Sequence, residues 1–210
     1  GRQSWQNLLD HLDRLGVAAH NGLQLLIGDG SPGLQSAWQA RLWEVPFQRC
    51  IFHKLRNVRR DLIAPPGLQP GKVSAFKWHQ VRRTARIWQA PSEHDAYLRL
   101  RQLSHSWQPE QPLALATLLR DFDQTFSFYA VQAQALRHGQ LWPAKALRTT
   151  SPLEREFRSD RKRLRQSVLF HSRRGWLAIY GQIRLLKMAR RNGVFLDHHH
   201  RDLERLLAVS

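Results

Sequence analysis

The 210-residue sequence is poor in several things at once. Its single cysteine, Cys50, excludes an internal disulfide framework and a self-contained multi-cysteine zinc finger. A chain without disulfides suits a reducing compartment. Its apolar runs, such as Leu25-Leu26-Ile27, fall far short of the roughly 20 residues that a membrane-spanning helix needs. It has no internal repeat and no low-complexity tract, so solenoids and biased tails are excluded. Acid is scarce as well: 16 Asp+Glu stand against 33 Lys+Arg.

That scarcity leaves a formal charge of +17 and a sequence pI near 11.5. A surplus of this size points to a polyanionic partner, nucleic acid first. The plain alternative is a solvated basic surface. A hydrophobic fraction of 42%, with eight tryptophans, argues against disorder. The length supports one domain with a real core.

Periodicity organises the chain into three parts. Ser4 can cap a helix on which Trp5, Leu8, Leu9, Leu12 and Leu15 recur at helical spacing, with Gly16 at its end. A helix with such a face has to dock, so strands are expected upstream of it. Residues 23–28 read as a short buried strand closed by Asp29-Gly30. Ser31-Pro32 reads as a helix start, Val45 to Phe52 as a second strand, and Lys54 to Leu62 as a basic helix stopped by Pro65-Pro66-Gly67. The alternation predicts an α/β layer over 1–64. From 65 to 145 the pattern is helical. A run of apolar residues from Leu113 through Phe122 and Phe126 to Val131 predicts one long buried helix. Trp78, Trp88 and Trp107 read as packing residues in preference to base-stacking ones. Residues 146–191 carry two further helices, and 192–210 a tail helix. The whole predicts an α/β fold, largely helical in content, with an all-helical insertion.

Three segments could carry chemistry. Asp29 ends a buried strand, where a carboxylate stands at the mouth of an α/β sheet and can take Mg²⁺, a cation that prefers oxygen; Asp-Gly is equally an ordinary turn dipeptide. On the helix from Pro152, Glu154, Arg158, Arg161 and Arg165 share a face beside the apolar stripe of Leu153, Phe157, Leu164 and Val168. Six basic residues lie between 155 and 165, more than pairing with Glu156 and Asp160 requires, so this face is expected to follow a phosphate backbone. The alternative is an exposed helix with ordinary Glu-to-Arg pairs. The third segment sets Cys50 and His53 close together. They could be half of a zinc site, or a structural cysteine with a hydrogen-bonded histidine. Lys54, Arg56, Arg59 and Arg60 follow as a second candidate phosphate surface.

Together these segments resemble Mutator-type bacterial insertion-sequence transposases. Asp29-Gly30-Ser31-Pro32-Gly33-Leu34 is similar to the family's strand end around its second aspartate. Gln48-Arg49-Cys50-Ile51-Phe52-His53 resembles its Gln-x-Cys-x-x-His signature, and Arg148-Thr149-Thr150-Ser151-Pro152-Leu153-Glu154 its Arg-Thr-Thr-x-x-x-Glu segment. The resemblance implies an RNase H-like fold, here incomplete, with a helical segment inserted before the Glu-bearing helix. It implies two-metal phosphoryl transfer on DNA, with Asp29 and Glu154 as ligands of two Mg²⁺ or Mn²⁺ ions. It makes Gly30, Gly33, Cys50 and His53 motif residues. Lys54, Arg56, Arg59, Arg60, Arg155, Arg158, Arg161, Lys162 and Arg165 would contact DNA, both transposon ends and target. A homo-oligomer in the active complex, and a cytoplasmic, nucleoid-associated location without membrane, go with it. The family's first aspartate lies on a strand upstream of the Trp5 helix, so these residues alone are expected to be catalytically incomplete. The rival expectation is a noncatalytic nucleic-acid-binding protein derived from a decayed or co-opted element. A third is another RNase H-like nuclease, against which the Cys50–His53 signature argues.

Overall fold

A computed structural model describes residues 1–142 and 147–150, all within the first of two compact units, Gly1–Pro152. Helix α1 (Arg2–Arg14) starts from Gly1, and Ser4 lies inside it and is not its cap. Leu9 is buried, whereas Leu8 and Leu15 are 43% and 65% exposed, so only part of the expected apolar face is covered. Strand β1 (Leu26–Gly28) leads into α2 (Pro32–Arg41), which has Ser31 as N-cap and Pro32 at its first position. Helices α1 and α2 cross closely at Gly33. A Cβ there would stand 3.2 Å from the Arg2 backbone nitrogen and 3.3 Å from the Trp5 ring.

Strand β2 (Phe47–Arg49) pairs in parallel with β1, in the register Leu26↔Phe47, Ile27↔Gln48 and Gly28↔Arg49. Both strands are shorter than the sequence pattern predicts. Pro46, with no N–H to give, precedes β2, and Cys50 is already the N-cap of α3 (Ile51–Asp61). That leaves three residues for pairing. Gly28 fits where little else can: a Cβ would come within 2.5 Å of Leu34 and 2.9 Å of Phe47.

The remaining described elements are helical: α4 (Pro70–Ala85), a 3-10 turn at Ile87–Gln89, α5 (Glu93–Glu110), α6 (Pro112–Leu119), a 3-10 turn at Asp123–Thr125 and α7 (Ser127–Arg137). The chain is thus mostly helical around a small two-stranded parallel sheet. One core runs from Val58 of α3 and Leu62 just after it through Trp88, Leu103 and Trp107 to Leu118, Phe122 and Phe128. Each such side chain stabilises the fold by about 1.5–3 kcal/mol through burial. Trp88 donates its indole N–H to Thr125 Oγ1 at 2.8 Å, so its polar end is satisfied inside the core. Trp78, by contrast, is 49% exposed and lies outside that core. Gln111 clamps the segment after α3 through its amide, accepting from the N–H of Ile63 and donating to its carbonyl, both at 2.8 Å.

The single long helix expected across Leu113 to Val131 is two helices, α6 and α7, separated by a corner. The apolar period continues through the corner because Phe122 and Phe126 turn inward and meet edge to face at 4.8 Å. The backbone reverses at Asp121, whose φ is 49°, a left-handed conformation that aspartate tolerates better than most residues.

Candidate active site

The parallel register brings the C-terminal ends of β1 and β2 side by side. The Cys50 N–H donates to the Gly28 carbonyl at 2.6 Å, so the residue after β2 is tied to the residue just before Asp29. Asp29 is exposed, and its Oδ1 accepts the Ser31 N–H at 2.9 Å. That bond closes an Asx turn and holds the carboxylate at the strand end. Gly30 follows with φ 75° and the Arg49 guanidinium against it; a Cβ would stand 2.3 Å from Arg49 Nη1. Glycine is favoured here by its conformation, and a side chain would also have to displace the Arg49 guanidinium.

Cys50 is fully buried, and its sulfur is a hub. It accepts from the N–H and the hydroxyl of Thr150, both at 3.4 Å, and meets the Thr149 hydroxyl at 3.4 Å. The Ile51 N–H donates to the Arg148 carbonyl at 3.0 Å, and the Arg148 guanidinium lies 4.6 Å from the centre of the Phe128 ring. Segment 148–150 is thus fastened to the start of α3, although it is about 100 residues away in sequence. The cysteine acts here as a sulfur acceptor within a packed junction. Among the described residues, no three His, Cys, Asp or Glu side chains converge as a metal cluster. His53 meets the Phe52 ring edge-on, with the ring centres 5.7 Å apart.

Gln48 supplies the second fastening. Buried in β2, it donates to the Arg49 and Thr125 carbonyls at 2.8 and 3.0 Å and accepts the Phe128 N–H at 3.0 Å. Ser127 adds a bond to the Phe47 carbonyl at 2.8 Å. The start of α7 thereby covers β2, much as a neighbouring strand would. The first and last residues of the Gln-x-Cys triplet have distinct structural jobs, one toward the helical segment and one toward the Arg-Thr-Thr segment.

The basic residues of α3 have diverse surroundings. Lys54 is 1% exposed, and its ammonium donates to the Arg120 carbonyl. Burial, then the nearby Arg49 charge, lowers its pKa to about 8. Lys54 therefore turns inward and supports the corner that follows α6, away from solvent. Arg49 joins it there, its Nη1 lying 2.8 Å from Asp121 Oδ2. Arg60 is paired with Asp61 at 2.7 and 3.1 Å, and Asp61 also accepts from Thr117 of α6 at 2.7 Å. Arg59 stacks 4.6 Å from the Trp78 ring centre. Arg56 is exposed. Glu154, Arg155, Arg158, Arg161, Lys162 and Arg165 lie outside the described residues.

The model of the Mutator family transposases matches residues 1–182. The chain belongs to the Mutator family of transposases. Among curated proteins it is similar to the transposase for insertion sequence element IST2 of Acidithiobacillus ferrooxidans, at 26% identity over 89% of this chain and 62% of that protein. It is 29% identical to the transposase for IS6120 of Mycolicibacterium smegmatis, over 84% of this chain and 48% of that protein. It is 30% identical to the transposase for IS406 of Burkholderia multivorans, over 80% of this chain and 38% of that protein. The chain thus spans between 38% and 62% of the length of these three relatives. Within the Mutator match fall the Asp29 turn, the Cys50 junction and the Arg148–Thr150 segment. Among the described residues no helix is long and apolar enough to cross a membrane.

Proposed function

We propose that this chain is part of a DDE transposase that cleaves and joins DNA by metal-dependent phosphoryl transfer, with Asp29 and Glu154 as two of its carboxylates. The supporting observation is the Cys50 junction. It ties the segment ending at Thr150, four residues before Glu154, to a strand end whose neighbour carries Asp29. Thr149 and Thr150, which precede Glu154 in sequence, are thus held beside the strand end next to Asp29. The two-stranded parallel sheet with helices beside it is the part of an RNase H-like fold on which such carboxylates would stand. Residues 65–145 are its helical insertion, and 146–191 its Glu-bearing helices.

The donor chemistry fits the implied cation. Asp29 offers a solvent-facing carboxylate, and hard oxygen is what Mg²⁺ and Mn²⁺ prefer. Asp29 and Glu154 would hold the ions, which when bound activate water or a 3′-hydroxyl and stabilise the leaving oxygen. The basic residues that follow Glu154, with Arg56 and Arg59, would lie along the DNA backbone. The partners are transposon ends and target DNA, and the active complex is a homo-oligomer working in the bacterial cytoplasm at the nucleoid. The 210 residues by themselves are catalytically incomplete.

The test is Mn²⁺ binding by the 210-residue chain, read from the loss of the free-ion electron paramagnetic resonance signal. Weak binding is expected in the parent and at least a tenfold loss in Asp29→Asn and in Glu154→Gln. Equal binding by all three would overturn the ligand assignment. A plasmid-nicking assay runs beside it. Robust Mg²⁺-dependent cleavage by these residues alone, abolished by Glu154→Gln, would keep the carboxylates and refute incompleteness. Loss of Mn²⁺ binding together with unaltered DNA affinity separates the metal site from the DNA surface.

A further inference from the structure

Between Asp61 and Glu93 the sequence holds no acidic residue, yet it carries Lys72, Lys77, Arg82, Arg83 and Arg86. The structure folds one end of this stretch against α5. A pocket of about 500 Å³ lies there, lined by Arg83, Arg86, Gln89, Arg99 and Gln102 over Ile87 and Leu103. Three arginines and two glutamines therefore line one open surface pocket, and no acidic residue lines it.

The hydrogen bonds of these arginines orient them without neutralising them. Arg83 donates to the Ser106 hydroxyl at 3.1 Å, and Arg99 to the Arg86 carbonyl at 2.6 Å. Each guanidinium has five donors, so most remain for a ligand. None of the three has an ion-pair partner among the described residues. Asp95, one turn before Arg99 on α5, takes the Ser92 hydroxyl at 2.7 Å within its own helix cap. Guanidinium forks match phosphate oxygens, and an anion seated among them would relieve the repulsion of their like charges.

We propose that this pocket between α4, the Ile87–Gln89 turn and α5 binds phosphodiester groups of DNA, as a second contact that shares no residue with the Asp29–Cys50–Thr150 junction. The polyanion's identity as DNA rests on the transposase reading; the pocket's charge does not. Its apolar floor of Ile87 and Leu103 leaves room for a sugar edge beside the phosphate, and the glutamine amides can bond the remaining oxygens. The pocket would anchor the duplex on the helical segment, whether or not metal is present at the strand ends.

The experiment is fluorescence anisotropy of a labelled 30-base-pair duplex with the 210-residue chain in EDTA, across a salt series. The logarithmic salt slope falls by roughly 0.9 for each phosphate that the protein no longer neutralises. The variant Arg83→Ala/Arg86→Ala/Arg99→Ala is expected to bind about tenfold or more weakly near 0.1 M salt, with the slope reduced by about two. A control removes the same charge from exposed positions outside the pocket, Lys72→Ala/Arg82→Ala/Arg101→Ala, and should weaken binding clearly less. Equal weakening in the two triples, or none in the pocket triple, overturns the proposal. Arg86→Glu serves as the second variant because the Arg86 side chain makes no hydrogen bond or ion pair among the described residues. It should keep the parent's circular dichroism and still bind at least tenfold more weakly; parent-like affinity overturns the proposal. Inorganic phosphate at constant ionic strength is the competitor. Displacement beyond that by chloride, present in the parent and lost in the pocket triple, supports a phosphodiester in the pocket, whereas equal displacement in parent and triple overturns it. The Mn²⁺ measurement on Asp29 and Glu154 is made without DNA and this one in EDTA, so failure of the metal site and failure of this pocket are read separately.

Discussion

Helix α3 and the α4–α5 pocket are both rich in cations, and they hold them in opposite ways. Along α3, Lys54 is sunk against the Arg120 carbonyl, Arg60 is locked to Asp61, and Arg59 lies on Trp78. In the pocket, Arg83 and Arg99 bond only a hydroxyl and a carbonyl. The difference follows from where the acids fall. Asp61 and Asp121 stand at the two ends of the α3 region and meet its cations or their neighbour Arg49. Nothing acidic lines the pocket. A local surplus of positive charge is therefore available to a ligand only where the fold brings no carboxylate to it.

If the cations of α3 and the neighbouring Arg49 of β2 are structural, removing them should alter stability before it alters DNA affinity. The largest effect is expected at Arg49, which pairs with Asp121 at the α6–α7 corner. Arg49→Met should destabilise the chain by about 2 kcal/mol, read from the urea midpoint. Breaking a fully buried pair would cost more, but Asp121 keeps 38% of its side chain exposed, and solvent screening reduces the cost. DNA affinity of the folded protein should stay the same. A variant that keeps its stability and loses DNA affinity would move Arg49 to the ligand-binding side of the comparison.

Lys54 gives the next largest effect, and its sign is specific. Burial lowers its folded pKa from 10.5 to about 8. Between those values the unfolded chain binds more protons than the folded one, so stability rises with pH across that window. Below pH 8 the charged ammonium in the folded state carries the full penalty. Relative to Lys54→Met, the parent should therefore gain about 1 kcal/mol between pH 7 and pH 9, using roughly 1.4 kcal/mol per pKa unit. The measurement is paired urea denaturation at the two pH values. Equal pH responses would mean that Lys54 is as solvated as its neighbour Arg56.

Much of this architecture is readable from residue patterns, and the exceptions have physical causes. The strand–turn–helix unit around Asp29 carries its own signals in Gly28, Gly30 and Pro32, because each meets a local steric demand, and Ser31 marks the N-cap by position without a side-chain capping bond. The break between α6 and α7 carries no such signal. No glycine or proline marks it, and the apolar period continues unbroken through Phe122 and Phe126. What fixes the corner is tertiary: Lys54 and Arg49 arrive from elsewhere to bond Arg120 and Asp121. For the same reason Lys54 looks like one of four equivalent surface cations in sequence. Helical position alone puts it near Val58, which is fully buried one turn later, and that spacing is the one local sign of its burial. The tie between Cys50 and Thr149-Thr150 is a contact between distant segments, beyond the reach of any periodicity. The acid-free stretch from Leu62 to Ser92 is legible in the sequence, but its gathering with Arg99 of α5 into one pocket is again tertiary.

Arg56 provides the smallest and most discriminating test. It is exposed, and it makes no hydrogen bond or ion pair among the described residues. Arg56→Ala should change stability by no more than about 0.5 kcal/mol, as surface substitutions without a special role generally do. Its effect on DNA binding then decides what remains of α3 as a DNA surface. One phosphate contact at Arg56 would lower the salt slope by about one, with a uniform weakening across duplex sequences. The anisotropy series used for the pocket reads this directly. A drop of that size, with stability unchanged, would leave α3 a narrow DNA contact on its solvent side, while its inner cations hold the corner. No drop would remove Arg56 from the DNA contacts and leave Arg59 and the arginine pocket to supply those of residues 1–142.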